Sequence, residues 1–159
     1  MNTEKKKILY FDMDNVLVNF QSGIDQLSEE ILKEYEGDLD EVPSIFSLMK
    51  PLDGAVEAVN LLSQHFDVYI LSTAPWKNPS AWSDKIEWVH KYFGNEKDSV
   101  FHKRLIISHN KHLNKGDYLI DDRTKNGAGD FEGELVLFGS EKFPDWKVVT
   151  DYLINEKYR

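Results

Sequence analysis

Short apolar runs that end in polar residues recur along this chain, and each has the length of a buried parallel strand. Residues 8–11 (ILYF) lead straight into Asp12. Residues 67–72 (DVYILS), 104–107 (RLII), 118–121 (YLID) and 135–138 (LVLF) repeat the theme. Most of the intervening segments carry helical spacing. Asp53 stands as an N-cap ahead of Val56, Val59 and Leu62, which fall roughly on one face. Trp82, Ile86, Val89 and Phe93 follow an i, i+4, i+7, i+11 pattern and read as a core-facing stripe, with Gly94 placed to end that helix. Residues 145–154 predict a closing helix. Strands alternating with helices indicate an α/β, Rossmann-like fold around a mostly parallel sheet.

Residues 21–50 break the alternation. They predict one helix over 24–35, an acidic turn over 36–41 and a short apolar segment over 45–49. This reads as a small helical insertion within a single domain spanning 1–159, since no internal repeat or long linker divides the chain.

Composition adds limits. The apolar fraction is 41%, including 4 Trp, 7 Tyr and 9 Phe, enough for one core of ordinary size. The formal net charge of −9 repels polyanions, which argues against a nucleic-acid polymer or an anionic membrane surface as partner. The absence of cysteine removes disulfides, thiolate metal sites and cysteine nucleophiles from consideration. Lys5-Lys6-Lys7 before an apolar run imitates a signal peptide, but Asp12 and Asp14 interrupt that run after four residues. The expectation is a soluble, cytoplasmic protein, with the oligomeric state left open.

In open α/β sheets, ligands bind beyond the carboxyl ends of the strands. The residues standing there are Asp12, Asp14 and Asn15 after the first strand, and Ser72 and Thr73 after the second. Lys111 follows the third, and Asp121, Asp122 and Arg123 follow the fourth. An Asp-x-Asp spacing alone means little in a chain with 15 Asp, and Asp38-Leu39-Asp40 is a second instance in an acidic turn. Position after a strand separates the two. Four carboxylates converging on one sheet edge would repel one another unless a cation sits among them. Magnesium suits such an oxygen-only set and shares its shell with substrate phosphate. A carboxylate nucleophile, a second acid two residues on, and a lysine with hydroxyl donors would together serve phosphoryl transfer. No Walker-type lysine loop occurs.

Asp12-Met13-Asp14-Asn15-Val16-Leu17 resembles the first motif of the haloacid dehalogenase (HAD) superfamily, Asp-x-Asp-x-[Thr/Val], and the other motifs follow in order. The resemblance implies Asp12 as nucleophile and metal ligand, and Asp14 as acid/base that also offers its backbone carbonyl to the metal. It implies phosphate binding at Ser72 or Thr73, stabilisation by Lys111, and completion of a Mg2+ shell by Asp121 and Asp122. Within the superfamily, residues 12–20 (DMDNVLVNF), 51–62 (PLDGAVEAVNLL), 88–94 (WVHKYFG) and 119–123 (LIDDR) are similar to the 5′(3′)-deoxyribonucleotidases. That similarity implies a small helical cap at 21–50 and a (deoxy)nucleoside monophosphate as the small phosphorylated substrate, with Phe20 helping to hold the base. Phe46 and Trp76 are further stacking candidates. Asn15 stands where that family has glycine, and Ser108-His109-Asn110-Lys111 where Thr-Arg-Asp-Lys is typical. His109 and His112 read as surface histidines. Two alternatives stay open: a phosphatase for another small ester such as a sugar phosphate, and a non-catalytic metal- or nucleotide-binding regulator.

Overall fold

A computed structural model describes residues 5–157. Five strands form one sheet: β1 (Ile8–Phe11), β4 (Asp67–Ser72), β5 (Leu105–Ile107), β6 (Tyr118–Asp121) and β7 (Glu134–Leu137). Their order is β5-β4-β1-β6-β7, every neighbouring pair is parallel, and Tyr10 of β1 stands opposite Tyr69 of β4 and Leu119 of β6. The chain leaves β1, builds outward on one side through β4 and β5, then returns to add β6 and β7 on the other. The carboxyl end of β1 is therefore the point where the winding reverses, the place where such sheets open a crevice. The fold class is α/β and Rossmann-like.

The three longer helices, α3 (Ala55–Leu62), α4 (Pro79–Phe93) and α5 (Trp146–Lys157), all contribute to the larger core cluster. It contains Leu9, Phe11, Val68, Ile70, Ile120 and Val136, the alternate positions of the strands. The opposite positions, Tyr10, Leu71 and Leu119, pack in a smaller cluster with Ala128 and Phe131 from the loop after β6. No helix among the described residues is long and apolar enough to cross a membrane.

Several elements differ from the sequence reading. The single helix expected over 24–35 is two helices, α1 (Phe20–Ile24) and α2 (Glu29–Glu34). Ser28 divides them, because its hydroxyl accepts from the Ile31 N–H at 3.3 Å and caps α2 instead of continuing a helix through. Two 3₁₀ turns follow, Leu39–Glu41 and Ile45–Leu48. Short strands β2 (Val18–Asn19) and β3 (Lys50–Pro51) pair antiparallel and close the base of this inserted segment. Helix α3 is preceded not by an Asp53 cap but by Gly54 at φ +81°, a conformation that glycine adopts without penalty.

The largest difference lies in α4. Trp82 and Ile86, expected in the core, are 37% and 44% exposed, and the buried side runs through Ala81, Lys85, Trp88 and Val89. A lysine is drawn inside because its ammonium meets a carboxylate and a hydroxyl there, which turns the apolar stripe partly out to solvent. Gly94 ends the helix as expected, at φ +99°.

Candidate active site

Strand β1 delivers Asp12 to the sheet edge, where its N–H donates to the Ile120 carbonyl at 2.9 Å. The chain then turns tightly: the Leu17 and Val18 N–H groups both donate to the Met13 carbonyl at 2.9 Å, and Asn15 sits at φ +61°. Asparagine is among the few non-glycine residues that tolerate this left-handed conformation.

Around Asp12 the sheet assembles a buried acidic cluster. Asp12, Asp121 and Asp122 each place a carboxylate oxygen within 4.8 Å of the others. The Lys111 ammonium lies among them, donating to Asp12 Oδ1 at 3.0 Å and Asp121 Oδ2 at 2.6 Å. Lys111 is 3% exposed, and its backbone is fixed by donation of its N–H to the Asn126 carbonyl at 2.7 Å. The Arg123 N–H donates to the other oxygen of Asp121 at 3.0 Å.

Electrostatics follow from that crowding. Burial, then the neighbouring Asp12 charge, raises the Asp121 pKa to about 7 against the opposing pull of Lys111. The same two causes raise Asp122 to about 6. Burial works against the Lys111 ammonium, but Asp12 and Asp121 more than offset it and raise its pKa. One lysine thus leaves the cluster short of positive charge.

A divalent cation fits this arrangement. Three carboxylates offer oxygens to one point, and Oδ1 of Asp122 is buried without a hydrogen-bond partner. Orphaned acceptors of this kind carry a desolvation penalty that a cation removes.

Asp14 belongs to a second group. Its Oδ2 accepts from Lys85 Nζ at 3.2 Å, and Lys85 also donates to Ser72 Oγ at 2.7 Å while resting 4.7 Å from the Phe46 ring centre. Lys85 is wholly buried. Burial raises the Asp14 pKa, Lys85 opposes the rise, and Asp12 adds to it.

A cleft of about 680 Å³ opens above these groups. Asp14, Asn15, Thr73, Asp122 and Arg123 line its inner part. Phe20, Trp76, His109 and residues 37–40 of the inserted segment form the outer walls.

The structure brings Asp12, Asp14, Thr73, Lys111, Asp121 and Asp122 together and sets Phe20 at the wall, its ring 5.8 Å from that of Phe46. Ser72 has no exposed surface and faces Lys85, not the cleft. Thr73 does line the cleft, with its hydroxyl donating to the Ser108 carbonyl at 2.7 Å. Phe46 is buried beneath Lys85, whereas Trp76 is 80% exposed. His109 is not a loose surface histidine. Its ring lies 5.7 Å from Trp76 and 5.9 Å from Trp82.

Sequence reading missed Lys85, because a lysine inside a helix is ordinarily a solvated residue. The signal available was a second stripe, Ala81, Lys85, Trp88 and Tyr92, at the same helical spacing as the apolar one.

Residues 39–147 match the model of the family described as 5′ nucleotidase, deoxy (pyrimidine), cytosolic type C protein (NT5C). A protein of Vibrio phage KVP40, provisionally named 5′(3′)-deoxyribonucleotidase, is 58% identical over 151 residues, covering 95% of this chain and 86% of its own. The 5′(3′)-deoxyribonucleotidase of Bacillus subtilis strain 168 is 26% identical over 152 residues, covering 84% of this chain and 85% of its own. Among solved structures, a HAD-like hydrolase of Xanthomonas campestris superposes with a TM-score of 0.57 at 12% identity over 97% of both chains. YfnB of B. subtilis, a provisionally assigned HAD hydrolase solved with magnesium bound, gives 0.55 at 15% identity over 89% of this chain and 90% of its own. At these identities the structural likeness shows the fold.

Proposed function

The chain belongs to the NT5C family of 5′(3′)-deoxyribonucleotidases on the HAD hydrolase fold, and we propose that it is a magnesium-dependent phosphomonoesterase that cleaves (deoxy)nucleoside monophosphates through an aspartyl-phosphate on Asp12. The observation that carries this reading is the meeting of Asp12, Asp121 and Asp122 around Lys111 beneath the cleft, at the point where the sheet reverses.

Asp12, Asp121 and Asp122, with the Asp14 backbone carbonyl, would hold the magnesium. Bound there, the cation neutralises charge on the phosphoryl group. The Asp12 carboxylate attacks phosphorus as the P–O bond to the nucleoside breaks. Asp14 gives its proton to the departing oxygen, a step that its raised pKa favours. Asp14 then takes a proton from water as that water attacks phosphorus, which releases inorganic phosphate and restores Asp12. Lys111 holds a phosphoryl oxygen, and Thr73 holds another once its hydroxyl turns from the Ser108 carbonyl. Lys85 acts through Asp14, fixing the orientation of its carboxyl group, and Ser72 acts through Lys85.

We read residues 1–159 as one domain, with residues 21–50 as a cap whose 37–40 turn and neighbouring Phe20 face the nucleoside. The covalent step is tested by rapid quenching during turnover of a deoxynucleoside monophosphate with magnesium. A phosphate-sized mass gain, labile to hydroxylamine and missing in Asp12→Asn, is expected. Turnover in Asp12→Asn at more than about one part in 10³ of the wild-type rate would contradict the mechanism.

A further inference from the structure

The apolar stripe of α4 is not absorbed by the catalytic cleft. Trp82 and Ile86, one turn apart, stand 37% and 44% exposed along a groove whose other wall is β5, an edge strand of the sheet. Leu105 and Ile107 of that strand are half-buried, and Val89 and Phe101, both nearly fully buried, also line the groove. The cavity they enclose measures about 450 Å³, within the roughly 300–1,000 Å³ range of small-molecule sites. A half-open, mainly apolar groove of this size beside two exposed large side chains is a site shape, not scattered surface hydrophobicity.

The lining also has a sign. Lys103 and Arg104 border the cavity, with His90 and His102, and no acidic residue lines it. That is notable in a chain with 28 acidic side chains against 19 basic ones. The Arg104 guanidinium is already taken up by an ion pair with Asp67, donation to the Val68 carbonyl at 3.1 Å and the Tyr69 ring at 4.6 Å, so Lys103 at the rim supplies the charge. The exposed Lys103 beside this apolar floor favours a ligand that is apolar over most of its surface and negative at one end. The edge strand is three residues long, so it presents too few outward backbone groups to hold an extended peptide by strand addition.

We propose that the groove between α4 and β5 is a second binding site, for a small amphipathic anion with a flat apolar body and one acidic group. It reaches the catalytic cleft through contiguous rings. Trp82 forms part of the groove and meets His109, which meets Trp76 at the outer wall of the cleft. Lys85, which holds Asp14, lies between Trp82 and Ile86 in the same helix.

The test titrates the full chain, labelled at its indole nitrogens, with 8-anilinonaphthalene-1-sulfonate. N-Phenyl-1-naphthylamine, the same ring system without the acid, is the control. Saturable one-to-one binding that shifts the Trp82 indole and leaves Trp146 unmoved is expected, with the neutral probe at least tenfold weaker. Ile86→Ser should weaken the sulfonate at least tenfold. Lys103→Gln should weaken it severalfold without changing the neutral probe. Both residues are exposed, and neither belongs to the catalytic site. Equal affinity for the two probes, unchanged affinity in Ile86→Ser, or displacement of the sulfonate by inorganic phosphate would overturn the proposal. So would self-association that Ile86→Ser abolishes and the probe does not compete with, since a second copy would then fill the groove.

Discussion

At the residue scale, the site is a balance of buried charge. Lys85 is the clearest case: fully buried, it ties Asp14 to Ser72 and holds down a pKa that burial would otherwise raise further. Replacing it with methionine keeps the stem and removes the charge. We expect Lys85→Met to lower kcat by about 10²–10³-fold, the scale of losing a well-placed acid–base group, with KM changed far less. Lys85→Arg should recover part of the loss; equal damage from both variants would mean that packing, not charge, is what Lys85 supplies. Asp121 and Asp122 give a second prediction. Their folded pKa values of about 7 and about 6 lie above the unfolded carboxylate range of about 4, so the metal-free fold binds extra protons between those limits. Their stabilising contribution is complete near pH 4 and is lost as pH rises through about 7. A divalent cation needs the deprotonated carboxylates, so the rise in Tm on adding magnesium should be larger at pH 8 than at pH 5. An equal or larger rise at pH 5 would rule out these carboxylates as the ligands. Asp12, Asp14, Asp121 and Asp122 were legible because each follows an apolar strand. Lys85 was not, because burial of a charge depends on a partner 71 positions away in sequence.

At the element scale, short connections do the aiming. Asn126 and Gly127, at φ +56° and +84°, form a tight turn that packs on the 3₁₀ turn Lys111–Leu113. A Cβ at Gly127 would lie 2.9 Å from the Lys111 backbone nitrogen and 2.3 Å from His112 Nδ1. Gly127→Ala should therefore destabilise the fold by about 1–2 kcal/mol from the left-handed backbone alone. It should also lower activity at least tenfold by moving Lys111 off Asp12 and Asp121, read as the urea midpoint alongside kcat. Wild-type activity in a destabilised Gly127→Ala would show that the turn does not position the lysine. Periodicity located every long element to within about three residues, but it misjudged which way α4 faces. Apolar spacing fixes a stripe without saying whether a buried ion pair will rotate it outward. The split between α1 and α2 escaped for a local reason, since Ser28 competes for backbone groups inside an otherwise helical pattern.

At the scale of the whole molecule, the parallel order β5-β4-β1-β6-β7 gathers side chains from distant parts of the sequence at one end of β1. Alternating strands and helices made the fold class readable. The pairing order was not, since the apolar runs are interchangeable until the strands are assembled. A chain of net charge −9 that concentrates carboxylates around its reaction centre should bind an anionic ester only after a cation has neutralised that centre. The most direct measurement is phosphate release from a panel of deoxyribonucleoside, ribonucleoside and sugar monophosphates, with magnesium and with chelator. Release should require magnesium and be fastest with nucleoside monophosphates. Release from sugar phosphates alone would keep Asp12 and its metal while contradicting the nucleotide assignment, and no release from any ester would contradict the enzyme itself.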